Sequence, residues 1–233
     1  MSKKKIFIIA LVLIITVGAV VGGIFIDNQT KKEDALKNEI AEVNKLLLSE
    51  NRDENKVNEL LERTISDGEY AKVEKAAKKY LKDSITSLDD LLDLLKDEKI
   101  TNMLSIDNYK KDGPEFNDSL SYLNTYRKKL NTVSNSFLWF VDREKINEYI
   151  KNQNLNEENE KLLRELLVTE EGLDEEYASI VESVEMVKDL LNKEESVLKF
   201  LKENKNDWVI KKKKMMFSTD KLLKKYQELI NEV

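Results

Sequence analysis

The chain has no cysteine, no histidine and a single proline, and only six glycines among its 233 residues. Each absence removes a class of chemistry. Without cysteine there are no disulfides, no thiolate nucleophile and no cysteine to carry a lipid anchor. Without histidine, Ser-His-Asp and Cys-His systems, the usual zinc sites and titration near neutrality all fall away. No glycine-rich loop offers a phosphate cradle, which argues against nucleotide use. Carboxylates and tyrosines remain. A pair of carboxyl groups could in principle hydrolyse a glycoside, but that reaction also needs a sugar cleft with aromatic walls. The chain therefore reads as a non-enzyme, with no catalytic residue, cofactor or metal site to assign.

The scarcity of chain breakers also bears on fold. After residue 26 the only glycines are Gly68, Gly113 and Gly172, and the only proline is Pro114. Sheets and tight turns need more punctuation than this, whereas long helices with few connections do not. The expected class is all-α: an N-terminal transmembrane helix followed by an elongated antiparallel helical bundle. A small β-hairpin is expected near the C-terminus.

One long apolar run is present. Residues 6–26, IFIIALVLIITVGAVVGGIFI, carry no charge and come directly after Lys3, Lys4 and Lys5. At about 1.5 Å per residue the run measures roughly 31 Å, the thickness of a bilayer core. It reads as a single-pass transmembrane helix. Basic residues favour the inner side, so residues 1–5 are expected to form a cytoplasmic tail and residues 27–233 an extracytoplasmic body. The reverse arrangement would give a cytoplasm-facing scaffold of spectrin-like type. A cleaved signal peptide and a secreted body form the other alternative, although signal h-regions are about 7–15 residues long and this run is longer. Within the run, Gly18 and Gly22 form a Gly-x-x-x-Gly pair at which two spanning helices could approach closely.

The formal charge is −6, and removing the three N-terminal lysines leaves −9 for residues 27–233. An acidic surface argues against nucleic acid as a partner, because phosphate binding needs clustered Lys and Arg. The body is still more than one-third apolar, enough to bury a core in one elongated domain or two small ones.

Apolar spacing places the elements. From residue 28 to 65 a three-four stripe through Leu36, Ile40, Val43, Leu47, Val57 and Leu61 fails over 49–55, which predicts two helices. Ser66-Asp67-Gly68 breaks the chain, and Ser66 or Asp67 could cap the next helix. That helix carries a heptad-like stripe from Tyr70 to Leu95, as in a bundle or coiled-coil seam. Its outer face holds Lys72, Lys75, Lys78 and Lys79, then Asp89, Asp90 and Asp93, and reads as solvated. The alternative, a carboxylate metal cluster, has Asp89 and Asp93 on one face at i and i+4 but no matching partner cluster in the sequence. Residues 99–113 read as an irregular linker without the ligand alternation of a calcium loop. Asp112-Gly113-Pro114 should start a third helix with proline in its first turn, running from Phe116 to Phe140. The apolar cluster at 137–141 is either a buried turn or a contact surface. Asp142 and Asn156 are candidate caps for the next two helices. A last long stripe runs from Leu162 to Leu201, with Gly172 as the point where it could kink or divide.

Residues 204–233 change character. Trp208-Val209-Ile210, Lys211 to Lys214 and Met215-Met216-Phe217 predict two short strands around a lysine turn, though without the usual Asn-Gly. A helix continuing through the lysines is the alternative. Ser218 to Asp220 should cap a closing amphipathic helix. Lys211, Lys212, Lys213 and Lys214, with Trp208, are the candidate contact for anionic lipid or an anionic wall polymer. The lysine-flanked anchor, the Asn/Lys/Ile-rich helical body and the closing segment with Trp208, Phe217 and Tyr226 together resemble uncharacterised single-pass membrane-anchored proteins of low-GC Gram-positive bacteria. The resemblance covers layout and composition and implies no activity. The function expected is a membrane-anchored interaction or structural module, with a protein partner or self-association. The alternative is a module that binds or senses a small molecule or envelope polymer.

Overall fold

Three-four apolar spacing becomes helix through most of the residues that the computed structural model describes, namely 31–49, 51–168 and 172–233. The expected span at 6–26, with Gly18 and Gly22, lies outside the described residues. Among the described residues no helix is long and apolar enough to cross a membrane. In chain order the helices are α1 (Lys31–Leu47), α2 (Glu54–Glu62), α3 (Gly68–Leu95), α4 (Glu98–Thr101) and α5 (Ile106–Asp112). They continue with α6 (Asn117–Leu138), a 3-10 turn (Trp139–Val141), α7 (Arg143–Lys151), α8 (Glu157–Leu167) and α9 (Leu173–Glu203). Strands β1 (Trp208–Lys211) and β2 (Lys214–Phe217) and a last helix α10 (Asp220–Glu232) complete the chain.

Side-chain caps set several of the boundaries, because the first amides of a helix have no partner within it. Asp53 accepts from the Asn55 and Lys56 amides, Asp142 from Glu144 and Lys145, and Asn156 from Asn159. The stripe from Leu162 to Leu201 divides at Gly172, whose φ of +95° is a conformation that residues with a Cβ rarely adopt.

Two expectations are corrected. Residues 99–113 are not an irregular linker. Asp97 caps α4 and Ser105 caps α5, and Ile100, Met103 and Tyr109 are buried beneath them. Nor does Pro114 enter the first turn of α6. That helix begins at Asn117, and the Asp112 carboxylate reaches across the Gly113-Pro114 bend to accept from the Asp118 and Ser119 amides at 3.2 and 2.7 Å.

The chain divides into two compact units whose boundaries, after residues 91, 134 and 181, fall inside α3, α6 and α9. The described part of the first unit comprises residues 31–91 and 135–181. Its core includes Leu36, Ile40, Val73, Ala77, Ile150 and Leu163. The apolar cluster at 137–141 closes one side: Phe137 and Val141 are buried, and Leu138, Trp139 and Phe140 are half-buried. Rings of Tyr80 and Tyr149 join Trp139 and Phe140, and the Tyr80 hydroxyl donates to the Phe140 carbonyl at 2.6 Å.

The second unit holds 92–134 and 182–233. Leu123, Leu130, Leu191 and Leu198 are fully enclosed, each contributing about 2 kcal/mol through burial. Several polar groups inside it are paired: Tyr126 donates to the Leu94 carbonyl at 2.8 Å, and Asn108 Nδ2 to the Met103 carbonyl at 2.7 Å and Ser119 Oγ at 3.0 Å.

Candidate functional site

The C-terminal module begins where α9 stops. Asp207 ties the base of the hairpin: its carbonyl accepts from the Ser218 amide and its carboxylate from the Ser218 hydroxyl, both at 2.8 Å. The strands pair antiparallel in the register Trp208–Phe217, Val209–Met216, Ile210–Met215 and Lys211–Lys214. Successive side chains of a strand point to opposite faces. Trp208, Ile210, Met215 and Phe217 therefore turn towards the unit and are half-buried, while Val209, Lys211, Lys214 and Met216 turn outward and are exposed. Lys212 and Lys213 form the two-residue turn with φ of +48° and +61°, the signs of a type I′ turn built without its usual Asn-Gly.

Trp208 is the anchor of this module. Its indole Nε1 donates to the Leu201 carbonyl at 2.7 Å, and its ring stacks on Phe116 at 6.0 Å between centroids. Gly113 permits that seat. A Cβ there would lie 2.4 Å from the Tyr109 carbonyl oxygen and 3.1 Å from both Phe116 and Trp208. On the other strand Phe217 meets Phe200 and Tyr226, which fastens α10. Of the five residues singled out in the sequence, Trp208 thus faces inward, and Lys211 to Lys214 stand exposed at the tip. None of those four lysines takes part in an ion pair among the described residues.

Sequence reading passed over two members of this surface. Val209 and Met216, each 50% exposed and directly paired, form an apolar patch beside Lys211 and Lys214. The period-two alternation within each strand carried the signal, since it puts these residues on the face opposite Trp208.

A second concentration of charge lies inside the first unit, where the outer face of α3 was expected to be solvated. Lys78 is 3% exposed and Glu74 0%. The Lys78 ammonium donates to Glu39 and Glu74 at 2.7 Å each and to the Arg63 carbonyl at 2.9 Å. Arg63 forks onto Glu39 at 2.9 and 2.6 Å, and the Ile65 and Ser66 amides donate to Glu74. Glu74 thus serves the turn before α3, while the Asp67 carboxylate pairs with Lys32 instead. The Arg63 guanidinium, against the effect of burial and with help from Lys78, holds the Glu39 carboxyl below its ordinary range. Burial alone would raise Glu74, but Lys78 and the two amides outweigh it and the carboxyl is lowered too. With its partners in place, this cluster braces α1 and the loop after α2 against α3.

Two carboxylates farther along α3 are engaged separately. Asp89 accepts from Arg52 at 2.7 Å and Asp93 pairs with Lys96 at 3.0 Å, so these two neighbours do not converge. Among the described residues no group of three His, Cys, Asp or Glu side chains is placed to hold a metal ion. A cleft of about 340 Å³ in the first unit is lined by Glu33, Tyr70, Glu158, Asn159, Lys161, Leu162 and Glu165. Small-molecule pockets are mostly apolar with a few polar groups, and this cleft has the opposite character. Searches of protein-family models, curated proteins and solved structures find no match to the chain.

Proposed function

We propose that the chain is a membrane-anchored interaction or structural module without catalysis, held by residues 6–26, with 1–5 inside and 27–233 outside. The observation that carries this reading is the uncharged run of 21 residues directly after Lys3, Lys4 and Lys5. It matches bilayer thickness, and the basic flank precedes it. Two features of the described residues favour presentation of a surface over chemistry. The buried charges of Glu39, Glu74 and Lys78 neutralise one another in place, and an exposed basic hairpin stands on an otherwise acidic chain.

Extraction and protease access test the two halves of the reading. Washing membranes at alkaline pH should leave the full chain in the pellet, and protease added to intact, wall-stripped cells should digest the body. Release into the wash would remove the anchor. Protection until lysis would reverse the orientation and leave a cytoplasm-facing scaffold. Self-association through Gly18 and Gly22 would appear as a crosslinked dimer that is lost in a Gly18→Ile, Gly22→Ile variant.

A further inference from the structure

Charge is segregated along this chain. Residues 204–233 hold eight lysines against four acidic residues, a net of +4, whereas residues 31–203 hold 28 basic and 40 acidic side chains, a net of −12. Half of the eight lysines sit at 211–214, on and beside the hairpin turn. The outward face of the same hairpin presents Val209 and Met216, each 50% exposed, next to Lys211 and Lys214. An apolar pair ringed by unpaired ammonium groups suits a surface that is anionic outside and hydrocarbon beneath, because water or a soluble anion would suit the lysines and leave the apolar pair exposed. A soluble polyanion would use the lysines and leave Val209 and Met216 unexplained. Residues 31–203, with a net of −12, would be repelled by the same anionic surface, which favours contact through the hairpin.

We infer that the outward face of the C-terminal hairpin docks on an anionic lipid bilayer, with Val209 and Met216 entering the headgroup boundary and Lys211 to Lys214 pairing with lipid phosphates. Trp208 acts from the opposite face as a positioning residue that holds the hairpin on the unit through Leu201 and Phe116. This inference adds a second membrane contact to the anchored reading, with the host bilayer or with one apposed to it.

The absence of cysteine allows a direct test on the full chain. V209C, labelled with an environment-sensitive fluorophore, is reconstituted into vesicles of phosphatidylcholine alone or mixed with phosphatidylglycerol, and empty vesicles of the same lipid are then added. The label should shift to the blue in anionic vesicles and not in neutral ones, and the shift should fade as salt rises, since surface charge is screened within about 10 Å at 0.1 M. The same label at exposed Asn124 on α6 (N124C) should stay silent. Replacing Lys211 to Lys214 with Gln should weaken the response by up to about 600-fold, since each lysine contributes roughly fivefold at such a surface. The helical spectrum and melting temperature should not move, because all four side chains are exposed.

A label that ignores anionic vesicles at low salt overturns the inference, as does a shift that survives the Gln replacements or is equal in neutral lipid. A shift produced by soluble polyphosphate or a DNA oligonucleotide, and not by vesicles, reassigns the lysines to a polyanion and also overturns it. Alkaline washing of the same vesicles reports the anchor separately. Release of the chain is a failure of the anchored reading, whatever the label at position 209 does.

Discussion

The two units bury their most consequential side chains by opposite means. In the first, Glu39, Glu74 and Lys78 are charged and almost wholly enclosed, and each depends on the others to offset its lost hydration. In the second, the seat of Trp208 is aromatic and shape-dependent, built on Phe116, a single indole hydrogen bond and the missing side chain of Gly113. The first arrangement is sensitive to the loss of any charge and tolerant of small changes in shape. The second is indifferent to charge and intolerant of one extra methyl group. Each unit also contains one tryptophan, Trp139 in the first and Trp208 in the second, so the two can be followed separately by emission.

The largest effect is expected for Lys78→Met, which leaves two buried carboxylates without their shared cation. Breaking a buried pair in this way costs about 3–5 kcal/mol, to be read from urea unfolding near neutral pH. The pH dependence has a definite sign. Glu39 and Glu74 have folded pKa values below the ordinary 4.5, so the stability they lend is whole above that pH and is lost as pH falls through their depressed values. Without Lys78 that dependence weakens, and the gap between the variant and the parent chain should narrow as the solution is acidified below pH 4.5. A gap that stays constant would mean that Lys78 contributes through packing of its stem.

Next in size is Gly113→Ala. A Cβ at 2.4 Å from a carbonyl oxygen forces the Tyr109, Phe116 and Trp208 contacts apart. Overpacking of this kind costs about 1–3 kcal/mol. In a Trp139→Phe background the Trp208 emission should shift to the red, and the pH dependence should stay that of the parent. A smaller change should come from Glu176→Gln. Burial pushes the Glu176 carboxyl up to about 7, and its Oε2 is enclosed without a hydrogen-bond partner among the described residues. A raised folded pKa means that ionisation opposes folding, so the variant should gain stability above pH 7 and little at pH 4.5. About 1 kcal/mol is a reasonable size once partial exposure is allowed for. Smallest is Lys212→Asn with Lys213→Gly, which supplies the residues a type I′ turn favours at two positive-φ positions. Thermal unfolding should show a gain of about 0.5 kcal/mol.

Local patterns carried much of this fold in the sequence itself. The caps at Asp142 and Asn156 were visible as polar residues ahead of apolar periods. The break between α1 and α2 showed as a lapse in the stripe. The hairpin was visible as two apolar triplets around Lys211 to Lys214 despite its unfavourable turn residues. The failures have a common physical cause. Lys78 lies among other lysines on α3, and its burial depends on the approach of Glu39 and the Arg63 carbonyl, 39 and 15 residues away, as well as on Glu74. The helices α4 and α5 are too short to show a period, and they exist because Ile100, Met103 and Tyr109 find a core. Val209 and Met216 lay within two apolar triplets whose inward and outward faces were not assigned, and strand register turned them outward. Charge alone does not distinguish a contact from a solvated tip at Lys211 to Lys214, because solvated lysine runs have the same sequence.

The boundaries inside α3, α6 and α9 have a consequence for synthesis. Because the chain alternates between its units, the first stays incomplete until residues from 135 onward appear, as the pair between Lys37 and Glu165 illustrates across 128 positions. The second is likewise waiting for residues after 181. A domain made of one continuous segment can finish folding as it leaves the ribosome. Here neither is continuous, so a nascent chain stalled between residues 92 and 180 holds unfinished parts of both units at once. C-terminal truncations that begin before residue 182 will therefore damage two structures with one cut, and a phenotype from deleting the C-terminal third cannot be assigned to the hairpin alone.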